Sequence, residues 1–318
     1  MKHLFIINPI SFTKEAEMNA VIRDIKDYFG SNDSGEYYIY TSRYPRDAIS
    51  VIKKYAAKAA ETVRVYSVGG DGILFDCLNG IVALEDAELA VIPYGTANDF
   101  IRAFGDDVAP IFRDIEKQVK AETIPTDVIN IGGRHSLNFC AVGVEAASVL
   151  KYYDICRKHP ELAKKLGKSL YIAGVPLAII DKKIIYQEYE VKIDGVSYDG
   201  KYCTINIANN PCYGGNKTPA PMAYPADGLL DIIMAKSINR LRILSVLSDY
   251  TKGKYYKHPE IFTHIRGCEV SIRSASPLQI NADGESYYDA RLDAKIIPGA
   301  VKIASPDGLK YVIRRELS

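Results

Sequence analysis

The chain has 318 residues, 47% of them hydrophobic and 25% charged, with a formal net charge of +1. That is ordinary globular composition, long enough for two domains with cores, and the balance of charge names no partner by itself. Six cysteines show no Cys-x-x-Cys pair and five histidines lack metal-ligand spacing, which argues against a disulfide framework or a zinc site and for reduced cytosolic thiols. Residues 1–127 carry 14 Lys/Arg against 20 Asp/Glu, and residues 128–318 carry 26 against 19. Two parts of opposite charge suggest two domains with different partners, although unrelated solvated faces account for the count equally well.

In chain order, LFIINP reads as a first strand rather than a signal peptide. Thr13 is a candidate cap for a helix in which Val21, Ile22, Ile25, Tyr28 and Phe29 recur at helical spacing up to Gly30. EYYIYTS is a second strand, and Pro45 stands at a plausible first position of a second helix. VRVYSV then predicts a strand, ILFDCLNGIV a helix, LAVIPYG a strand, GTANDFIRAFG a short helix closed by Gly105, and IFRDIEKQVK a further helix. Strands joined by helices imply a parallel sheet covered on both faces. After about Pro125 the pattern changes. TDVINIGGRHSLNFCAVGV suggests a hairpin turning at Gly132-Gly133, and a broken helical stretch follows from Glu145 to Ile180. Strand patterns then dominate: IIYQEYEVKI, KYCTINIANN, LLDIIMA, EVSIRS, PLQINA, LDAKII and VKIAS. They imply an antiparallel sandwich or barrel with a helical insertion. The tail DGLKYVIRRELS carries no sign of which part it docks on. The longest apolar run, Leu170 to Ile180, is too short to span a bilayer, so any membrane contact is expected to be peripheral.

Two junctions point to chemistry. Gly69-Gly70-Asp71-Gly72 ends a strand and opens a helix. Glycines there let the backbone approach a ligand and offer N–H groups, and the helix start adds partial positive charge; both favour phosphate. A carboxylate among those donors fits a Mg²⁺ partner or a role in organising the loop. A plain turn explains the glycines alone about as well. Gly95-Thr96-Ala97-Asn98-Asp99 repeats the logic at the next strand end, where Thr96 can cap the helix or bond a phosphate. Two such loops at neighbouring strand ends mark the place where open α/β sheets bind ligands.

With these residues in view, the sequence resembles the diacylglycerol kinase catalytic family of soluble bacterial lipid kinases and their sphingosine kinase relatives, over nearly its whole length. Asn8-Pro9 with Ser11 is similar to the family's first-strand motif, and Thr41 matches a Thr after its second strand. Gly69 to Gly72 matches the nucleotide loop, and Gly95 to Phe100 with Arg102 matches Gly-Thr-x-Asn-Asp-x-x-Arg. Gly214-Gly215 followed by Ala226-Asp227-Gly228-Leu229-Leu230-Asp231 resembles a family segment, and Asp283-Gly284-Glu285 resembles the catalytic Asp-Gly-Glu.

The resemblance implies an α/β nucleotide domain of the phosphofructokinase and NAD kinase type over 1–127. It implies a β-sandwich lipid-substrate domain over 128–305 with a helical insertion at about 145–182, then a tail over 306–318, with the active site between the domains. ATP is expected among Asn8, Pro9, Ile10, Ser11, Phe12, Thr41, Gly69, Gly70, Asp71, Gly72, Ile73, Leu74, Phe75, Gly95, Thr96, Asn98 and Asp99. Glu285 is implied as the general base, with Asp71, Asp127 and Asp283 near a catalytic Mg²⁺. Tyr224, Asp227 and Leu229 match a structural metal site in which the first and last give carbonyl oxygens. Ile73 stands where the family usually has Thr, Phe75-Asp76 replace Asn-Glu, and Phe12 replaces Gly. The lost hydroxyl and amide predict weaker nucleotide binding, and Phe12 predicts crowding of the phosphates; each lost charge-assisted hydrogen bond costs about 1.5–3 kcal/mol.

Lys151 to Lys183 holds eight Lys/Arg against three acids around LYIAGVPLAII, with Tyr152, Tyr153 and Tyr171 nearby. That composition, and a second basic cluster from Arg240 to His258, suit an anionic interface, while solvated faces over a small core remain the bland alternative. The expectation is a cytoplasmic enzyme that visits a membrane surface, uses ATP and Mg²⁺, binds no nucleic acid and is compatible with a homodimer. The alternatives are NAD kinase-like phosphorylation of a soluble dinucleotide, and a catalytically silent nucleotide or lipid sensor.

Overall fold

Strands β1 (Lys2–Ile7), β2 (Tyr37–Thr41), β3 (Val63–Gly69) and β4 (Ala87–Pro93) open the chain. In the computed structural model, which describes residues 1–159, 161, 175–215 and 217–312, they pair in parallel in the order β2-β1-β3-β4. β1, β3 and β4 are buried at nearly every position because both faces are covered, whereas β2, at the edge, is exposed or half-buried. Leu4, Ile6 and Val65 pack under α2 (Asp47–Ala56) and α3 (Asp71–Ile81) on one face. Phe5, Ile7, Tyr66 and Val68 pack under α1 (Glu15–Ser31) on the other.

Several local expectations change. Thr13 does not cap α1; Lys14 occupies that position without a side-chain bond, and the helix passes Gly30 to Ser31. Helix α2 starts after Arg46, whose φ is 73°, rather than at Pro45. The stretch 111–120 belongs to two helices, α4 (Ala109–Arg113) and α5 (Ile115–Lys120). Asp114 divides them with extended backbone and accepts the Lys117 N–H at 3.0 Å.

The larger correction concerns the sheet. Strand β5 (Glu122–Ile131) runs through position 127 and pairs antiparallel with the 21-residue β14 (Glu285–Ser305). Near its end β14 also pairs in parallel with β4, through Lys302–Glu88 and Ile303–Leu89. All fourteen strands thus form one hydrogen-bonded sheet. Among the described residues, parallel pairing is confined to β1–β4 and the β4–β14 junction, and every other pairing is antiparallel.

The rear part holds β6 (Arg134–Ser136), β7 (Phe139–Gly143), β8 (Glu188–Ile193), β9 (Val196–Ser197), β10 (Gly200–Ala208), β11 (Leu230–Lys236), β12 (Phe262–Gly267) and β13 (Glu269–Ala282). EVSIRS and PLQINA merge into β13, and LDAKII and VKIAS merge into β14; each long strand absorbs a register shift where the sequence suggested a break. Helix α6 (Val144–Lys158), a helical stretch at 175–180 and α7 (Lys182–Ile185) form the described parts of the insertion. Lys164, Lys165, Lys168 and Tyr171 lie outside the described residues. A further helix, α8 (Arg240–Thr251), joins β11 to β12, with the Asn239 side chain accepting the Arg242 N–H at 2.9 Å.

The tail docks on the front part. Tyr311 is buried beside Phe100 and Phe104, its hydroxyl 2.6 Å from Thr126 Oγ1, and the Val312 N–H donates to Ala103. Phe75 crosses the other way: it sits on α3 of the front part but is buried in the core built by Ile129, Cys140, Ile205 and Ile280 of the rear. We expect Phe75→Ala to lower unfolding free energy by about 3–5 kcal/mol in urea denaturation. A loss below 1 kcal/mol would show that the two parts do not depend on this packing.

Candidate functional site

The C-terminal ends of the four parallel strands lead into loops 8–14, 42–46, 70 and 94–99, all on one edge of the sheet. Two of them touch backbone to backbone. A Cβ on Gly95 would lie 2.2 Å from Gly70 Cα, and one on Gly70 would lie 3.0 Å from Gly95 Cα. The same glycines that suggested phosphate approach are therefore needed first for loop against loop. Gly72, by contrast, has open space beyond its Cα, where backbone can meet a ligand.

Asp71 organises this junction. It is the first residue of α3, and its carboxylate accepts the N–H of Asn98 at 3.1 Å and of Asp99 at 2.9 Å. Asn98, with φ at 51°, folds its amide back on Gly95. Asp99, rather than Thr96, stands at the cap of the following 3-10 turn (Phe100–Phe104); it accepts the Gly215 N–H at 3.1 Å. Asn210 donates to Phe100 O and to Asn138 Oδ1. Asp283 accepts from Leu137, Asn138 and Phe139 N–H at 2.8–3.1 Å. One polar thread thus runs from the glycine loops to the rear sheet.

Burial sets the electrostatics. It raises the Asp71 carboxyl to about 7, with the nearby Asp99 and Asp283 charges adding to the effect and the two backbone donors opposing it. Burial likewise raises Asp283 to about 6 against its hydrogen bonds. Glu285 opens β14 and points back at the front part, where its carboxylate meets Arg46 Nη2 at 2.6 Å. Burial raises its pKa and Arg46 pulls it down. Arg46 also holds Asp76 at 2.6 Å and lies 4.5 Å over the Phe75 ring. Both replacements after the glycine loop therefore serve the arginine that faces Glu285.

The other expected ligand residues divide. Asn8 accepts the Ile10 N–H, Ser11 accepts the Gly70 N–H at 3.3 Å, and Ile10 is exposed at the loop. Thr41 ends β2 and Thr96 lies in the second loop. Phe12 packs against Tyr94, with ring centroids 4.8 Å apart, so its ring is anchored in the packing against α1. Ile73 and Leu74 are buried, so the hydroxyl absent at 73 belongs to a side chain that faces the core. Asp127 sits with a different loop and accepts the Gly228 and Gly299 N–H groups at 2.7 and 2.8 Å. Asp227 accepts from the Leu229 N–H and from Arg266, which also faces Asp231 at 3.4 Å. Tyr224 O accepts the Ala226 N–H at 2.8 Å. Arg46, Asn210 and Arg266 were not among the sequence candidates; no local motif marks them, since their partners lie far along the chain. Gly215 was marked by the Gly214-Gly215 motif, but its contact with Asp99 was not.

These donors bear on ligand chemistry. The free backbone around Gly72 and the start of the 11-residue α3 suit a phosphate. Among the described residues no group of three or more His, Cys, Asp or Glu is arranged to hold a metal ion. The acids present are committed to backbone donors or to arginine, so a dedicated cage does not fit, whereas Mg²⁺ carried on nucleotide phosphates needs only one or two carboxylates.

A second feature adjoins the thread. A largely apolar cavity of about 80 Å³ lies between the rear sheet, α6, α8 and residues 175–180. Its polar end holds Glu145, raised by burial, with Tyr250 donating to it at 3.0 Å, and Gly214 and Lys217. Arg102 donates to Lys217 O at 3.1 Å, which connects the cavity mouth to the segment after the second glycine loop.

Comparison with known proteins follows the same division. The model of the diacylglycerol kinase catalytic domain matches residues 2–131, and that of the YegS C-terminal NAD kinase beta sandwich-like domain matches residues 171–305. A "Putative lipid kinase" of Staphylococcus aureus strain MRSA252 is 24% identical over 279 residues, covering 85% of this chain and 87% of that protein. A second from strain JH9 is 24% identical over 251 residues, with 77% and 78% covered. The crystal structure of a "putative diacylglycerol kinase" from Bacillus anthracis superimposes with a TM-score of 0.74 at 25% identity, over 97% of this chain and 98% of that one.

Two outcomes follow. Gly95→Ala should force the loops apart and lower stability by roughly 1–3 kcal/mol in urea denaturation; unchanged stability would contradict the contact. In the ligand-free protein, Asp71 and Asp283 keep protons to higher pH when folded. Their contribution to stability is complete below about 3.8 and is lost as pH rises through about 6 and 7. Asp71→Asn should flatten that decline by an amount on the order of a few kcal/mol across pH 4–8, read from urea midpoints.

Proposed function

We propose that this kinase, whose front part matches the diacylglycerol kinase catalytic domain and whose rear part matches the YegS C-terminal domain, transfers the γ-phosphate of ATP to a hydroxyl of diacylglycerol or a related lipid. The observation that carries this reading is the position of Glu285: a carboxylate from the rear part, held 2.6 Å from Arg46 and facing the front part that bears the glycine loops. An alcohol is a poor nucleophile at neutral pH, and a carboxylate placed to accept its proton contributes typically about 10²–10⁴-fold. The hydroxyl oxygen forms the new bond to phosphorus as the bond to the departing diphosphate breaks, and Glu285 takes the proton.

The chain's own part is positioning. Gly69 to Gly72 and the start of α3 receive phosphate, Ser11 and Asn8 brace that loop, and Asp71 and Asp99 fix the second loop beside it. Mg²⁺, carried with the nucleotide, would neutralise charge on the transferring group, with Asp71 and Asp99 the nearest carboxylates to accept it. The apolar cavity ending at Glu145 has room for only part of an acceptor's acyl chain. Among the described residues no helix is long and apolar enough to cross a membrane, so the protein reaches its lipid from the surface. We place it in the cytoplasm with transient membrane contact.

One observation favours a second reading, a silent binder: the carboxylate of Glu285 is occupied by Arg46. Labelled ATP and Mg²⁺ offered with lipid vesicles, and separately with NAD, decide between them. We expect lipid product, lowered by 10²-fold or more in Glu285→Gln with ATP affinity within twofold of wild type. ATP binding with no product in either arm would establish the silent binder, and NAD product would overturn the lipid assignment.

A further inference from the structure

The loop from Tyr224 to Leu229 is a joint between the two parts. Asp127 of β5 donates its N–H to Pro225 O at 2.8 Å. Its carboxylate accepts the Gly228 N–H and also the Gly299 N–H from the register shift in β14. Tyr224 packs on the front core and edge-on to Tyr311 of the tail, ring centroids 5.9 Å apart. The chain then enters β11, where Asp231 is fully buried. A buried carboxylate persists only with charge and hydrogen bonds around it. Asp231 draws both from β12. Arg266 is its cross-strand partner, and His264, two residues earlier and so on the same face, brings Nε2 within 2.6 Å of Asp231 Oδ1.

Arg266 does more than close that pair. Its Nε lies 3.4 Å from Asp231 Oδ2 while its Nη2 donates to Asp227 Oδ2, and the other oxygen of Asp227 accepts the Leu229 N–H at 3.2 Å. One planar guanidinium thus spans the loop carboxylate and the buried one, a forked geometry to which arginine is suited and lysine is not. Tyr224 O, expected as a metal ligand, already accepts the Ala226 N–H. A divalent ion drawn to Asp227 would stand against a fixed positive charge, and displacing that charge would leave Asp231 buried without it. The structural metal that the sequence suggested does not fit this loop.

We infer that Arg266 is the resident cation of the loop, bridging Asp227 and Asp231 in place of a divalent ion, so that the joint holds without metal and becomes a metal site only when the guanidinium is removed. Two carboxylates and the loop carbonyls are the oxygen ligands that Ca²⁺ or Mg²⁺ would then use. None of this depends on what the protein phosphorylates, since Mg²⁺ carried on a nucleotide belongs to the glycine loops.

The test uses the full chain without nucleotide, stripped with EDTA. The melting temperature of wild type should move by less than about 1 °C on adding about 5 mM CaCl₂ or MgCl₂. Arg266→Ala should melt about 4 °C or more below wild type in EDTA and regain at least about half of that loss in CaCl₂. Adding Asp227→Asn to Arg266→Ala should abolish the recovery, which assigns the ion to this loop. Should Arg266→Ala fail to fold in EDTA, its refolding yield with and without CaCl₂ replaces the melt. A rise in the wild-type melting temperature with either ion that Asp227→Asn abolishes overturns the inference. An Arg266→Ala protein as stable as wild type in EDTA, or one whose loss neither ion repairs, overturns it equally.

Discussion

Gly95 cannot carry a side chain, because a Cβ there would stand 2.2 Å from Gly70 Cα, and a side chain at Gly70 would press on Gly95 at 3.0 Å. The rest of the site is built on that contact. With the loops this close, one carboxylate reaches two N–H groups of the neighbouring loop, and Asp71 spends its acceptors there. Asp99 then reaches Gly215 and begins the link to the rear part. The buried Asp99 and Asp283 and the half-buried Asp71 would repel one another; here each is met by backbone donors, which stabilise the charge and fix the loops together. The raised carboxyls at Asp71 and Asp283 record what that burial costs.

The parts of the fold visible in the sequence were those with local causes. The strands β1 to β4 announced themselves as unbroken apolar runs, and the glycine loops as breaks at strand ends. What escaped had non-local causes. Arg46 has no motif of its own; its role appears only when α2, α3 and the start of β14 are brought together. Phe75 reads as a lost polar residue until it is seen filling the core of the opposite part. Phe12 reads as an obstruction until Tyr94 is found beneath it. Helix α8 was hidden by the strand-rich segments around it, although Asn239 offered a cap. The expected metal loop at Asp227 already has a cation in Arg266, supplied by β12, a pairing no spacing within 224–229 could disclose.

The departures from the family pattern form a set rather than scattered losses. Phe75 and Asp76 both touch Arg46, and Arg46 touches Glu285. An aromatic face, an acid and an arginine thus replace whatever polar contacts the usual residues make, and they tie the glycine-loop helix to the proposed base. Such a group is rigid where a solvated amide would be adaptable, since a guanidinium held by two carboxylates and a ring has few alternative placements.

Strand β14 begins at Glu285 and, seventeen residues on at Lys302, pairs with β4. One strand therefore carries the proposed proton acceptor at one end and is hydrogen-bonded to the parallel layer of the glycine loops at the other. Kinases that swing two lobes shut set their reacting distance at each turnover. On the kinase reading, a base carried on such a strand takes its distance from the glycine loops from the sheet itself, as in a slot rather than a jaw.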